Sequence, residues 1–219
     1  MKRWTLITVV CLASFLPLSA VAPAAIVFTD GSKVVYTSGG RPGGSWNQDM
    51  DFNRDGAMDF YFTYVLGNRA IFSPFVNGEN RILATKAPLP DLEKWGTSLE
   101  SGDMIGINTP RGEWWSLDDR INQYDYGAYL YGAGGAVSSV PFGEEFFLGV
   151  ELHLEDGLHY GWIALEFRFA HLGEIRGWAY ETEPGVPIRA GAIPEPSATL
   201  LTGSAALALA QKRRRWRTK

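Results

Sequence analysis

Cysteine occurs once in the 219 residues. Cys11 lies inside the N-terminal apolar run, so a product lacking that run has no thiol, no disulfide and no cysteine-ligated metal. Histidine is nearly as scarce. His153, His159 and His171 form neither H-x-H nor H-E-x-x-H, the spacings that would set two imidazoles around zinc. No G-x-S-x-G is present, which removes the usual nucleophile elbow. The "GAGG" between Leu130 and Val137 is not followed by Lys-Ser/Thr and reads as a flexible loop rather than a phosphate cradle. No long amphipathic helix and no internal repeat of about 20–50 residues appears in the body of the chain.

What the sequence does hold is glycine (25), proline (12) and aromatic residues (13%), a balance that suits one turn-rich β domain with a sizeable core. In "FFLGVELHL" Phe146, Leu148, Val150, Leu152 and Leu154 alternate with Gly149, Glu151 and His153, the period-2 pattern of a half-buried strand. Ile163, Leu165, Phe167 and Phe169 alternate in the same way with Trp162, Ala164, Glu166 and Arg168, and Asp156-Gly157 between the two runs is a hairpin signal. "AIVFT", "KVVYT", "DFYFTYVL", "RILAT" and "MIGI" are further strand candidates, while "KAPLPDLEKWGTSLESGD" reads as a loop or short-helix insertion. The expected fold is all-β: an antiparallel two-sheet sandwich or jelly roll, a single domain over residues 25–192.

The two ends differ from this body. Lys2 and Arg3 precede an apolar run from Thr5 to Val21, and Ala22-Pro23-Ala24 offers small residues to signal peptidase, so residues 1–24 read as a signal peptide. An uncleaved N-terminal anchor is the alternative, which the Pro17 break and the A-x-A site disfavour. At the other end Pro194-Glu195-Pro196 is followed by a short apolar run, about residues 198–210, and then by Lys212, Arg213, Arg214, Arg215, Arg217 and Lys219. That run is shorter than the roughly 20 residues that cross the hydrocarbon core as a helix, and the basic cluster behind it would stay on the cytoplasmic side. The whole chain has a formal charge of −4, of which Lys2 and Arg3 contribute +2 and the basic cluster from Lys212 to Lys219 +6, leaving −12 on the residues between them. Such a body repels phosphate backbones, so no nucleic acid is expected as a partner.

The order Pro-Glu-Pro, apolar segment, Arg-rich terminus resembles the PEP-CTERM sorting signal of bacterial proteins processed by exosortase, a membrane-embedded cysteine transpeptidase-like enzyme. The resemblance covers residues 193–219 and implies cleavage at or near Pro194, Glu195 and Pro196, after a transient stay in the inner membrane. It further implies delivery to the cell surface or to an extracellular polysaccharide matrix. It assigns no activity to the body. "YGWIALEF" followed by "EIRGWAYETEPGVPIRAG" is similar to the paired strands that often precede this signal, which implies one antiparallel sheet holding Tyr160 to Phe169 and Glu174 to Thr182.

Three sets of residues carry candidate chemistry. In "DMDFNRDGAMDF", Asp51, Asn53, Asp55, the carbonyl of Ala57 and Asp59 fall at the spacing D-x-N-x-D-G-x-x-D, which begins a calcium loop. Phe62 occupies the place of the closing glutamate of an EF-hand. About five protein ligands are therefore available where calcium takes 6–8, and Asp49 or water would complete the shell; the alternative is an acidic turn closed by Asx hydrogen bonds. The carboxylates Glu144, Glu145, Glu151, Glu155 and Glu166 could in principle serve a glycoside hydrolase. The E-x-H-x-E-D pattern around Glu151 departs from the E-x-D-x-x-E motif of laminarinase-like jelly rolls, so these are read as solvent-facing strand positions and the chain as non-enzymatic. Finally, the aromatic residues of "RGEWWSLDDRINQYDYGAYLY", Trp114 and Trp115 foremost, could stack on sugar rings in a carbohydrate-binding module, or could fill the core.

Overall fold

A computed structural model describes residues 25–37, 45–65, 69–75, 79–86, 94–109, 112–116, 128–132, 137–169 and 172–194. The expected signal peptide, the Glu195-Pro196 pair, the apolar run and the basic cluster lie outside these residues. Among the described residues there is no helix. There are fourteen strands: β1 (Ile26–Thr37), β2 (Ser45–Met50), β3 (Phe60–Val65), β4 (Arg69–Pro74), β5 (Arg81–Lys86), β6 (Lys94–Gly96), β7 (Met104–Ile105), β8 (Glu113–Trp115), β9 (Ala128–Gly132), β10 (Val137–Ser138), β11 (Glu145–Leu154), β12 (Gly157–Phe169), β13 (Leu172–Glu181) and β14 (Ile188–Arg189). The described part of the chain is all-β, and among the described residues the pairings are antiparallel apart from one parallel contact, Trp95 beside Tyr129.

Hydrogen bonding runs continuously through one twelve-stranded sheet in the order β1-β13-β12-β11-β5-β6-β9-β4-β3-β2, with β10 beside β9 and β8 beside β5; β14 and β7 form a separate pair. The sheet curls until its ends face each other. Phe62 of β3 and Phe167 of β12 are far apart along the strand order, yet their ring centroids lie 6.3 Å apart, and Phe52 reaches Trp178 of β13 at 5.9 Å. The alternating Phe60 and Phe62 of "FYFTYV" point inward and are fully buried, while Tyr61 and Thr63 are half-buried, as strand geometry requires.

The β11–β12 hairpin forms as the alternation predicts, with Phe146 opposite Leu165 and Leu148 opposite Ile163. Its turn residues are Glu155 and Asp156; Leu154 pairs with Gly157, which opens β12 at φ 140°. The β12–β13 pair also forms, Ile163 standing opposite Trp178. "AIVFT" and "KVVYT" are halves of one strand, β1, interrupted by a register shift between Asp30 and Val34. A side chain at Gly31 would lie 2.8 Å from the Ile175 carbonyl oxygen, so the irregularity tolerates only glycine there.

One expectation fails in the centre of the sheet. The alternation reads β11 and β12 as half-buried, with Glu151 facing solvent, but both strands are buried on both faces, Gly149, Glu151, Trp162 and Ala164 included. A second core, built from Leu83, Leu99, Ile105, Phe147, Trp162 and Ile188, covers that side. Its lid comes from the 97–109 segment and the β14 region, which are remote in sequence from the strands they cover: Leu99 bonds to Phe147 in both directions, and Ile105 pairs with Ile188. Part of the predicted insertion is thus structural, since Lys94–Gly96 forms β6 and Leu99 bridges to β11; residues 87–93 lie outside the described set.

Candidate functional site

The acidic loop between β2 and β3 is built around Asp51. Its Oδ1 accepts the N–H groups of Arg54 (2.6 Å) and Asp55 (3.2 Å), and its Oδ2 accepts that of Gly56 (2.9 Å). Asp55 Oδ1 accepts the Ala57 N–H at 2.7 Å, and Asn53 donates from Nδ2 to Asp55 Oδ2 at 2.8 Å. The turn needs a left-handed backbone twice, at Arg54 (φ 62°) and Gly56 (φ 91°). Glycine adopts that conformation freely; Arg54 is held there by Asp51 and by its own guanidinium, which donates to Thr29 Oγ1 at 3.0 Å.

Asp59 turns the other way. It is buried, and its Oδ2 accepts the Phe52 N–H at 2.8 Å while Asn80 Nδ2 donates to its Oδ1 at 3.2 Å. Burial holds its pKa above the ordinary carboxylate value, opposed by those two hydrogen bonds. Among the described residues no three His, Cys, Asp or Glu side chains converge in a metal-binding arrangement. The loop borders an open groove of about 820 Å³, whose far wall is the β11–β12 turn with His153 and Asp156 and whose apolar lining includes Met58 and Phe75. Asn80 joins the walls, because its Oδ1 also accepts the His153 N–H at 2.8 Å.

On the face of the sheet that the second core covers, Glu151 stands between Tyr160 of β12 and Arg81 of β5, its two ladder partners. Its side chain is 3% exposed. The Arg81 Nη1 approaches Oε2 only to 3.6 Å, and no hydrogen bond reaches that oxygen. Desolvation raises the Glu151 pKa to about 7, with Arg81 pulling in the other direction. The phenol of Tyr160 is pushed up by burial and by the Glu151 charge. The Trp114 ring lies 5.9 Å from the Tyr160 ring; Trp114 is half-buried and stands opposite Leu83 of β5, two residues along from the 45% exposed Arg81. His153, next along the same face of β11, contacts Glu79 at 3.3 Å, and burial holds its pKa below the usual value.

The structure thus links Glu151 and Trp114, two residues that the sequence offers for different reasons, through Tyr160, the ladder partner of one and the ring neighbour of the other. It separates Trp114 from Trp115. Neighbours on a strand point to opposite faces, and Trp115 is 1% exposed in the main core, where it packs and presents no ring to solvent. Glu144, Glu145 and Glu155 are exposed, and Glu166 is tied into a surface lattice with Arg168, Glu174 and Arg176 across β12 and β13. The bond to Arg176 holds Glu166 below the ordinary carboxylate range. His159 is a packing residue: Nδ1 bonds the Glu181 carbonyl oxygen at 2.8 Å and Nε2 bonds Asp156 Oδ1 at 2.9 Å, which ties the hairpin turn to β13. His171, Tyr124 and Tyr126 lie outside the described residues. Arg81, Tyr160 and Asn80 carry no motif; only the pairing of β5 with β11 and of β11 with β12 reveals them.

Pro194 is exposed, following Ile193, which is 56% exposed. Two residues earlier the chain is still part of the fold, with Ala192 against the second core, Ala190 N–H donating to the Asp103 carbonyl at 2.8 Å, and the Ala190 carbonyl accepting from Gly102. The chain matches no protein-family model, no curated protein and no solved structure.

Proposed function

We propose that this chain is an exported, non-enzymatic β-protein, sorted by exosortase through residues 193–219 to the cell surface or extracellular matrix. The observation that carries the reading is the tail itself: Pro194-Glu195-Pro196, then an apolar run, then a basic cluster, on a chain that opens with a signal-peptide pattern. The fold is compatible with processing there. The last strand pair and the Ala190 hydrogen bonds lie before the motif, so a cut near Pro194 removes no core residue among those described. We read the body as a two-layer, jelly-roll-like sandwich formed by the curled sheet. The ladder partners of Glu151 are a tyrosine and an arginine, not a second carboxylate, which favours a binding or structural role over glycoside hydrolysis.

Sorting is tested by mass spectrometry of surface material. The exported chain should lack everything beyond the Pro194 region, and Glu195→Ala should leave an uncut precursor in the membrane. A mature surface chain that still ends in the arginine cluster would refute this reading.

The acidic loop belongs to the same proposal as a calcium loop of modest affinity. Asp55 and Ala57 are exposed and Asp51 and Asn53 half-buried, but the Asp51 carboxylate already accepts three N–H groups and the buried Asp59 is committed to Phe52 and Asn80, so neither offers a free oxygen as placed. A cation would therefore be held by the outer oxygens and water, with a shell short of protein ligands.

A further inference from the structure

Glu151 presents a problem that packing does not answer. Its carboxyl is buried, Oε2 receives no hydrogen bond, and an apolar side chain of similar size would fill the same space without the desolvation cost. Two positions on along the same strand face, His153 Nε2 is buried and unpartnered as well. The residues around Glu151 are those of a recognition surface. Trp114 is half-buried at the margin of the second core with its ring beside that of Tyr160, and Arg81 stands 3.6 Å from the carboxyl, too far for a hydrogen bond, with nearly half of its own side chain in solvent. The long Arg81 side chain reaches solvent, so it can shift to admit a small polar group that takes the place of its weak contact with the carboxyl.

The chemistry narrows the ligand. A free anion would be opposed by Glu151 and a free cation by Arg81, whereas a hydroxyl donates to one and accepts from the other. A pyranose carries such hydroxyls at its rim and an apolar face that stacks on an aromatic ring. We propose that Arg81, Trp114, Glu151 and Tyr160 form a binding site for a neutral glycan, with the sugar ring on Trp114 and one hydroxyl bridging Arg81 and Glu151. The site lies apart from the acidic loop and excludes Trp115. It rests on the surface-protein reading only for where the protein would meet its ligand.

The test is affinity electrophoresis of the full chain, purified in non-ionic detergent, through native gels containing cellulose derivative, xylan, mannan or β-1,3-glucan, with alginate and chitosan as charged comparators. At least one neutral polymer should retard the protein. Trp114→Ala and Glu151→Gln should each weaken that retardation about tenfold, the scale of one lost stacking or charge-assisted contact. Trp114→Phe preserves packing and should bind less tightly than the wild type, which keeps the test valid if the alanine variant does not fold. Absence of retardation by every neutral polymer, retardation by a charged polymer alone, or binding undiminished in both Glu151→Gln and Trp114→Phe would overturn the proposal. The mass of the exported chain plays no part in this measurement, so sorting and glycan binding can fail separately.

Discussion

Glu151→Gln should make the protein more stable in alkaline solution and change it little in acid. The carboxyl has an ordinary pKa of 4.5 when unfolded and about 7 in the folded protein. Between those values the folded state binds the extra proton, so wild-type stability falls as pH rises, and the penalty is complete once the folded group has ionised. At about 1.4 kcal/mol per pH unit, the span from pH 5 to pH 8.5 covers most of the shift and amounts to about 2–3 kcal/mol. Glutamine keeps the shape and has no charge to desolvate. Urea unfolding of both proteins at the two pH values isolates the effect, because groups common to both cancel in the double difference. His153 is one of these: its depressed pKa makes the protein lose stability as pH falls, the opposite direction. Identical pH dependence in the two proteins would refute the argument and show that Arg81 or water solvates the carboxylate as well as bulk solvent does.

Two further outcomes follow from features away from Glu151. Phe167→Ala should cost about 3–5 kcal/mol in urea unfolding, because this fully buried ring contacts Phe62, Phe142 and Phe146 and joins the two ends of the curled sheet. Millimolar calcium should raise the melting temperature, the gain reaching about 1.4 kcal/mol when the free ion is ten times its dissociation constant. Magnesium should do less, Asp55→Ala should abolish the difference, and a wild-type melting temperature indifferent to calcium and chelator would leave residues 51–59 as an acidic turn closed by Asp51.

The strands that carry their own alternation were readable from sequence, β3, β11 and β12 above all, because the period is local and their turns are marked by Gly and Asp. The second core was not. Phe147, Glu151 and Trp162 look like the outer positions of a half-buried sheet, and only the remote contacts of Leu99, Ile105 and Ile188 bury that side. Short strands such as β8 and β14 have too few residues to show a period at all. The split between Trp114 and Trp115 was available in principle, since adjacent strand residues cannot share a face. That rule did not say which ring goes inward. The answer came from β8 pairing with β5, a contact across residues with no common pattern.

The pairing of β1 with β13 also has a consequence in time. Ile26 lies opposite Glu181, and the Thr182 N–H donates to the Ala25 carbonyl, so β1 finds its partner only in a strand made more than a hundred residues later. Contacts of such long sequence separation close large loops and form slowly. Until β13 emerges, β1 has no edge to join and the open side of β12 is uncovered, so a nascent chain stopped short of Leu172 cannot complete the sheet. For a chain threaded through a membrane in extended form, this delay is useful. Under the export proposed above, such a body would remain open during passage, and its sheet would close only once β13 had crossed.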